Sequence, residues 1–214
     1  YTHNVLVPGS NPGGPTKITM KINKIILSFV FILIFFGIYC SLIIGISWDE
    51  PSSNEYALAR LNFIKTFGEN TDYLWDLETL NPGFYTFLLG YISNLFPENF
   101  IFEARHLINL FLSFFTLFGV YLIAKDSFDK RIGLLTVLFC LLNPFFFGMM
   151  SITVRDMPIC FGYVWTVYFF LKYIENYFSQ NKSYIIFLGL SIGFGMSARV
   201  PFIASLIPLF LIFL

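Results

Sequence analysis

Residues 25–50 read IILSFVFILIFFGIYCSLIIGISWDE: an apolar run with no charge from Ile25 to Ser47, then Trp48, Asp49 and Glu50. A helix rises 1.5 Å per residue and a bilayer core is about 30 Å thick, so about 20 apolar residues cross it. The run meets that length and ends on an interfacial aromatic followed by two acids. His106 to Ala124, Ile132 to Met150 and Met157 to Ile174 repeat the pattern; Ser183 to Ala198 is shorter, and Pro201 to Leu214 opens another apolar segment. The fold class is an all-α polytopic membrane protein.

Composition agrees. Of 214 residues, 57% are apolar and 12% charged, against about 25% charge in an average soluble domain. Mean hydropathy is +0.72. With 13 basic and 13 acidic residues, no basic field for nucleic acid exists, and three cysteines make no disulfide framework. Cys40, Cys140 and Cys160 all fall inside apolar runs and read as small apolar residues.

Sidedness follows from the basic residues. Lys21 and Lys24 put the N-terminus in the cytoplasm. Gly83 to Phe96 is the ambiguous segment, at about 21 Å as a helix. If it lies on the outer face, Lys125, Lys130, Arg131, Lys172 and Lys182 are all cytoplasmic; if it crosses, all are external. The first arrangement obeys the positive-inside rule, and Asn143-Pro144 in the third span reads as a kink. A long acidic external loop results, from Trp48 to about Ala104. It carries its own juxtamembrane helices: Asn54 to Phe67, capped by Ser52-Ser53-Asn54, and a second restarted by Asn81-Pro82.

Residues 1–19 are polar, rich in Gly and Pro, and lack the order of a signal peptide. They read as a non-native leader with Met20 the true start. A back-translation of Pro8 to Thr16 resembles a transfer-RNA arm, which suggests read-through; a cloning linker or a real polar tail are the alternatives. Residues 20–214 read as the N-terminal part of a longer membrane domain, truncated inside its last apolar run and inactive by itself.

Three outer features could carry chemistry. Asp49 and Glu50 can act as a base or hold a divalent cation; otherwise they are solvated loop acids. In Arg155-Asp156-Met157-Pro158 the acid suits an N-cap, which does not stop it facing a substrate. Arg105 and Arg199 edge apolar runs, where a guanidinium can grip a phosphate or snorkel. His106, with no second histidine in residues 20–214, reads as an interfacial residue. Sequence motifs for nucleotide phosphate or zinc are missing. A transporter or flippase component would want ionisable groups at mid-membrane, and here they cluster at span ends. A non-catalytic membrane protein is the other alternative.

The acidic pair after the first span, the outer loop with its helices, Asn81-Pro82-Gly83-Phe84-Tyr85 and Arg105 together resemble the polyprenyl-phosphate-sugar-dependent glycosyltransferases of the GT-C fold. The nearest branch is the dolichyl-phosphate-mannose-protein mannosyltransferase-like group. Arg155-Asp156-Met157-Pro158 resembles its second acidic position, and Ser197-Ala198-Arg199 sits where relatives carry a basic residue. Asn81-Pro82-Gly83 departs from the His-Pro-Pro-like start of many relatives. The resemblance implies a GT-C-like helix bundle in the cytoplasmic (inner) membrane, active on its external or periplasmic face. It implies inverting transfer of a hexose or pentose from a polyprenyl-phosphate donor to a lipid, glycan or protein. It gives Asp49 the acceptor's proton, Glu50 an orienting or cation-binding part, and Asp156 a part in placing the acceptor. Arg105, Arg155 and Arg199 become the phosphate and substrate contacts. Asp49 and Asp156 are the ligands for any divalent cation; no other cofactor is called for.

Overall fold

The computed structural model describes residues 17–71, 83–175 and 183–211, and every regular element among them is helical. Residues 1–16 of the leader, the Asn81-Pro82 start and Lys182 lie outside the described residues. In chain order the α-helices are α1 Lys17–Ile43, α2 Glu50–Lys65, α3 Phe84–Ser93, α4 Ile101–Ser127, α5 Lys130–Leu142, α6 Pro144–Met149, α7 Asp156–Glu175, α8 Ser183–Ala198, α9 Phe202–Ser205 and α10 Ile207–Leu211. A 3₁₀ turn, Glu98–Phe100, leads into α4.

Three helical stretches are long and apolar enough to cross a membrane: Asn23–Ile43, Glu98–Ser127 and Asp156–Glu175. The expected third span is broken rather than merely kinked. Asn143 is extended (φ −72°, ψ 113°), as a residue before proline prefers, and ends α5. Its side-chain oxygen then accepts from the N–H groups of Phe145 (3.0 Å) and Phe146 (3.1 Å), capping α6, with Pro144 in the first turn. The two pieces still run back along α4. They start just past Ser127, and at their end the Ser151 carbonyl meets Asn109, about 27 Å up α4. α8 has 16 residues and is about 24 Å long.

The core lies where α1, α4 and α5 meet: Ile26 and Val30, Leu110 and Leu117, Val137 and Leu141, with Met150 closing it. α7 and α8 pack at glycine distance. A Cβ on Gly162 would sit 2.7 Å from the Gly195 Cα and 2.9 Å from its nitrogen, so only hydrogen fits there. Away from these contacts the surface is apolar. Phe35, Phe111 and Phe139 are each about two-thirds exposed, which suits lipid contact.

Two juxtamembrane helices close one end of the bundle. α2 starts four residues before the expected Asn54, because Pro51 is free to open a helix. Ser53 and Asn54 therefore lie within the helix and their side chains serve other partners. α3 lies across the same end. Near its start the Tyr85 hydroxyl donates to Asn109 Oδ1, and at its end Asn94 Nδ2 donates to Asn54 Oδ1 at 3.3 Å. Burial raises the Tyr85 pKa, opposed by the charge of Arg105, so the phenol is a neutral donor. α3 thus begins and ends at one level of the bundle and does not cross it. At the opposite end Lys172 bridges Asp126 and Glu175, each at 2.8 Å.

Candidate active site

The turn between α1 and α2 is shaped by Glu50. The spacing of Ser47 and Glu50 lets the carboxylate reach back, as in a capping box: Glu50 Oε2 accepts the Ser47 N–H at 2.7 Å, and the Glu50 N–H donates to the Ser47 carbonyl at 3.2 Å. Glu50 is completely buried. Its second oxygen lies 2.7 Å from His106 Nε2, and His106 Nδ1 lies 3.1 Å from the Ser41 carbonyl. A carbonyl only accepts, so the bond to Ser41 needs the ring proton on Nδ1. With Glu50 turned inward, Asp49 faces out. It precedes α2 and makes no side-chain cap bond.

Asp49 opens onto a cavity of about 280 Å³ lined by Ser47, Trp48, Asp49, Ile152, Thr153, Val154, Arg155, Asp156 and Arg199. That is close to the lower end of the range for small-ligand pockets, about 300–1,000 Å³. Two carboxylates and two guanidiniums line it, so its charge is balanced. Arg199 Nη2 lies 4.0 Å from Asp156 Oδ1, with both side chains about half exposed or more. Such a pair contributes about 0–1 kcal/mol and yields readily to a stronger anion. Asp156 is the first residue of α7, not the residue before it, so the expected cap position is replaced by one in the first turn. Among the described residues no group of three or more His, Cys, Asp or Glu side chains is placed to hold a metal ion. Asp49 and Asp156 are the acids that the cavity offers a cation.

Arg105 is elsewhere. It is completely buried, where the sequence suggested a snorkelling side chain or a phosphate grip, and it is absent from the wall of this cavity. Its Nη2 donates to Ser53 Oγ at 2.9 Å and its Nη1 to Asn54 Oδ1 at 3.1 Å, tying α4 to α2. Glu50 supplies compensating negative charge. Glu50 does not line the cavity either. His106, read as interfacial, is 1% exposed and holds Glu50.

Both edges of the cavity hang from α4. Arg105 and His106 hold the Ser47–Asn54 side. One to two turns along, Asn109 Nδ2 donates to the Ser151 carbonyl at 3.0 Å, and Ser113 Oγ to the Met150 carbonyl at 2.7 Å, holding the turn before Arg155 and Asp156. The signal for this was in the sequence: polar residues at 106, 109, 113 and 116 recur every three or four positions within an apolar helix.

Residues 81–214 match the model of the dolichyl-phosphate-mannose-protein mannosyltransferase family. The chain belongs to that family. No curated protein and no solved structure matches it closely enough to count as a relative. The mannosyltransferase match takes in Arg105, Arg155, Asp156 and Arg199 and begins after Asp49 and Glu50. It agrees with the all-helical bundle, and it makes the chain a member of a family of membrane glycosyltransferases. For this mannosyltransferase-family chain the cavity is the candidate active site, because it joins an acid from outside the matched region to an acid and two cations from within it.

Proposed function

We propose that the chain is the N-terminal part of an inverting glycosyltransferase of the cytoplasmic membrane, working at its external face. Its donor is a sugar on a polyprenyl phosphate, and its acceptor is a hydroxyl of a lipid, glycan or protein. The observation that carries this is the cavity itself: an exposed Asp49 faces Asp156, Arg155 and Arg199 at the mouth of an apolar bundle.

The chemistry follows from those groups. The acceptor oxygen attacks the anomeric carbon from the face opposite the phosphate. A C–O bond forms, the C–O bond to the phosphate breaks, and configuration inverts. Asp49 takes the hydroxyl proton as the bond forms; a carboxylate is a weak base towards an alcohol, so the two events are concerted. The leaving polyprenyl phosphate gains charge, which Arg199 and Arg155 offset as an oxyanion hole would. The weak Arg199–Asp156 pair is exchanged for the phosphate, freeing Asp156 to accept a hydrogen bond from the incoming hydroxyl. The donor carries its own leaving group, so no nucleotide site is needed, and the lipid tail of the donor stays in the bilayer.

The test is Asp49→Asn in the complete protein, with transfer of labelled sugar from dolichyl-phosphate mannose and other polyprenyl-phosphate sugars in purified membranes. Loss of the base lowers the rate about 10²- to 10⁴-fold at unchanged expression. Near-normal transfer would remove Asp49 from the mechanism.

A further inference from the structure

We propose that His106 is a positioning residue for Asp49: through the buried carboxylate of Glu50, its imidazole holds the Ser47–Glu50 turn so that Asp49 faces the cavity. This rests on the reading of Asp49 as the group that takes the hydroxyl proton.

One ring makes both ties. Nδ1 donates to the carbonyl of Ser41 near the end of α1 (3.1 Å), and Nε2 meets Glu50 Oε1 at the start of α2 (2.7 Å). Glu50 Oε2 passes the restraint on to the Ser47 N–H (2.7 Å). Between the ties, the Ile44 N–H reaches the Cys40 carbonyl at 2.9 Å, and the Asp49 carbonyl accepts from the Ser53 N–H at 3.0 Å and from Ser52 Oγ at 3.2 Å, so the backbone of Asp49 is joined to α2 while its side chain is not. A Cβ built on Gly45 meets nothing within 4 Å, and Asp49 makes no side-chain cap bond. Both members of the pair are buried and neither lines the cavity, so neither touches substrate. A buried pair of this kind costs desolvation and is weak evidence for stability alone. What it does supply is geometry. Arg105, the preceding residue, holds α2 separately through Ser53 and Asn54, so cutting the His106 tie loosens the Ser47–Glu50 turn against α1 while the helix stays docked.

Glu50 Oε2 accepts from Ser47 while Oε1 sits at ion-pair distance from Nε2, and that gives the proposal a sharp contrast. In Glu50→Gln the amide oxygen accepts from Ser47, the amide nitrogen donates to Nε2 of a neutral imidazole, and Nδ1–H still reaches Ser41. The ties of the turn survive, and what is lost is the negative charge beside Arg105. In His106→Leu every bond from the ring is lost.

The experiment uses protein in which Cys40, Cys140 and Cys160 are replaced by alanine. Cysteines are placed at Asp49 and Asp156 and joined with a short bifunctional thiol reagent. A second pair, Asp126→Cys with Lys172→Cys, reports α4 against α7 at the far end. In His106→Leu, cross-linking of the 49/156 pair falls about fivefold or more, because the carboxylate that holds the turn has lost its imidazole and keeps only the charge of Arg105. The 126/172 pair is unchanged, and Glu50→Gln keeps the 49/156 yield. An unchanged 49/156 yield in His106→Leu overturns the proposal; so does a parallel fall of both pairs, which makes the residue merely structural. Should His106→Leu fail to accumulate, Glu50→Ala carries the same comparison. The sugar-transfer assay of Asp49→Asn is read separately. Near-normal transfer there defeats the role of Asp49 while leaving the cross-linking result to stand or fall alone.

Discussion

Arg105 and Arg199 carry the same guanidinium and meet opposite environments. Arg105 is sealed between α4 and α2, its fork divided between Ser53 and Asn54; Arg199 is about half exposed and loosely paired with Asp156. Their substitutions therefore separate. Arg105→Gln removes hydrogen bonds made by a buried charge, worth about 1.5–3 kcal/mol, and lowers the unfolding temperature of the detergent-solubilised protein. Arg199→Gln leaves stability within about ±0.5 kcal/mol but raises the donor KM, by about tenfold if one charge-assisted phosphate contact is lost. The reverse pattern, a stable Arg105→Gln with a raised KM, would return Arg105 to the phosphate. The difference was not legible along the chain, since both arginines edge apolar runs. Burial of Arg105 depends on α2 folding back over it, and Ser53 and Asn54 are distant in sequence. The readable part was the polar row on α4. It says that this face is buried, but not that Glu50 covers it.

Helices were legible where the apolar run alone decides them, as in α1, α4 and α7. Their boundaries moved wherever a side chain serves a partner outside its own segment. α2 begins at Glu50 because Pro51 tolerates the first turn and Glu50 reaches back to Ser47, so the expected Ser52-Ser53-Asn54 cap was never required. Asn143 breaks the third span because its carboxamide caps α6 better than it fits inside a helix. Packing between helices sets a second limit. α7 carries Asp156 at its start and α8 ends just before Arg199, and the two are held together at Gly162. Gly162→Val would press on the Gly195 backbone, where no rotamer change relieves it, and costs about 1–3 kcal/mol. It should lower the unfolding temperature and, by parting the helices, weaken transfer more than Gly189→Ala, whose Cβ meets nothing within 4 Å. Equal behaviour of the two variants would contradict the α7–α8 packing.

Charge divides the whole molecule into two ends. At one, Asp49, Arg155, Asp156 and Arg199 line the cavity; at the other, Lys125, Asp126, Lys172 and Glu175 gather. What assigns the two ends to sides of the membrane is α3. Because Tyr85 bonds Asn109 and Asn94 bonds Asn54, α3 stays on the cavity side, and the chain enters α4 from the side on which it left α1. The far end of α4 therefore shares a side with Lys24, and basic residues favour the cytoplasm there. The prediction is that residue 127 is cytoplasmic and residue 69 external. Both are exposed, so each accepts a cysteine without disturbing packing. In a background lacking the three native cysteines, an impermeant thiol reagent should label Glu69→Cys on intact cells, and Ser127→Cys only after permeabilisation. Labelling of Ser127→Cys alone would invert the protein and move the cavity to the cytoplasm. There the donor phosphate and any acceptor would have to be presented from the inner leaflet, and the external reaction proposed for Asp49 would fail. Labelling of both on intact cells would mean that α4 does not cross, and the bundle itself would have to be redrawn.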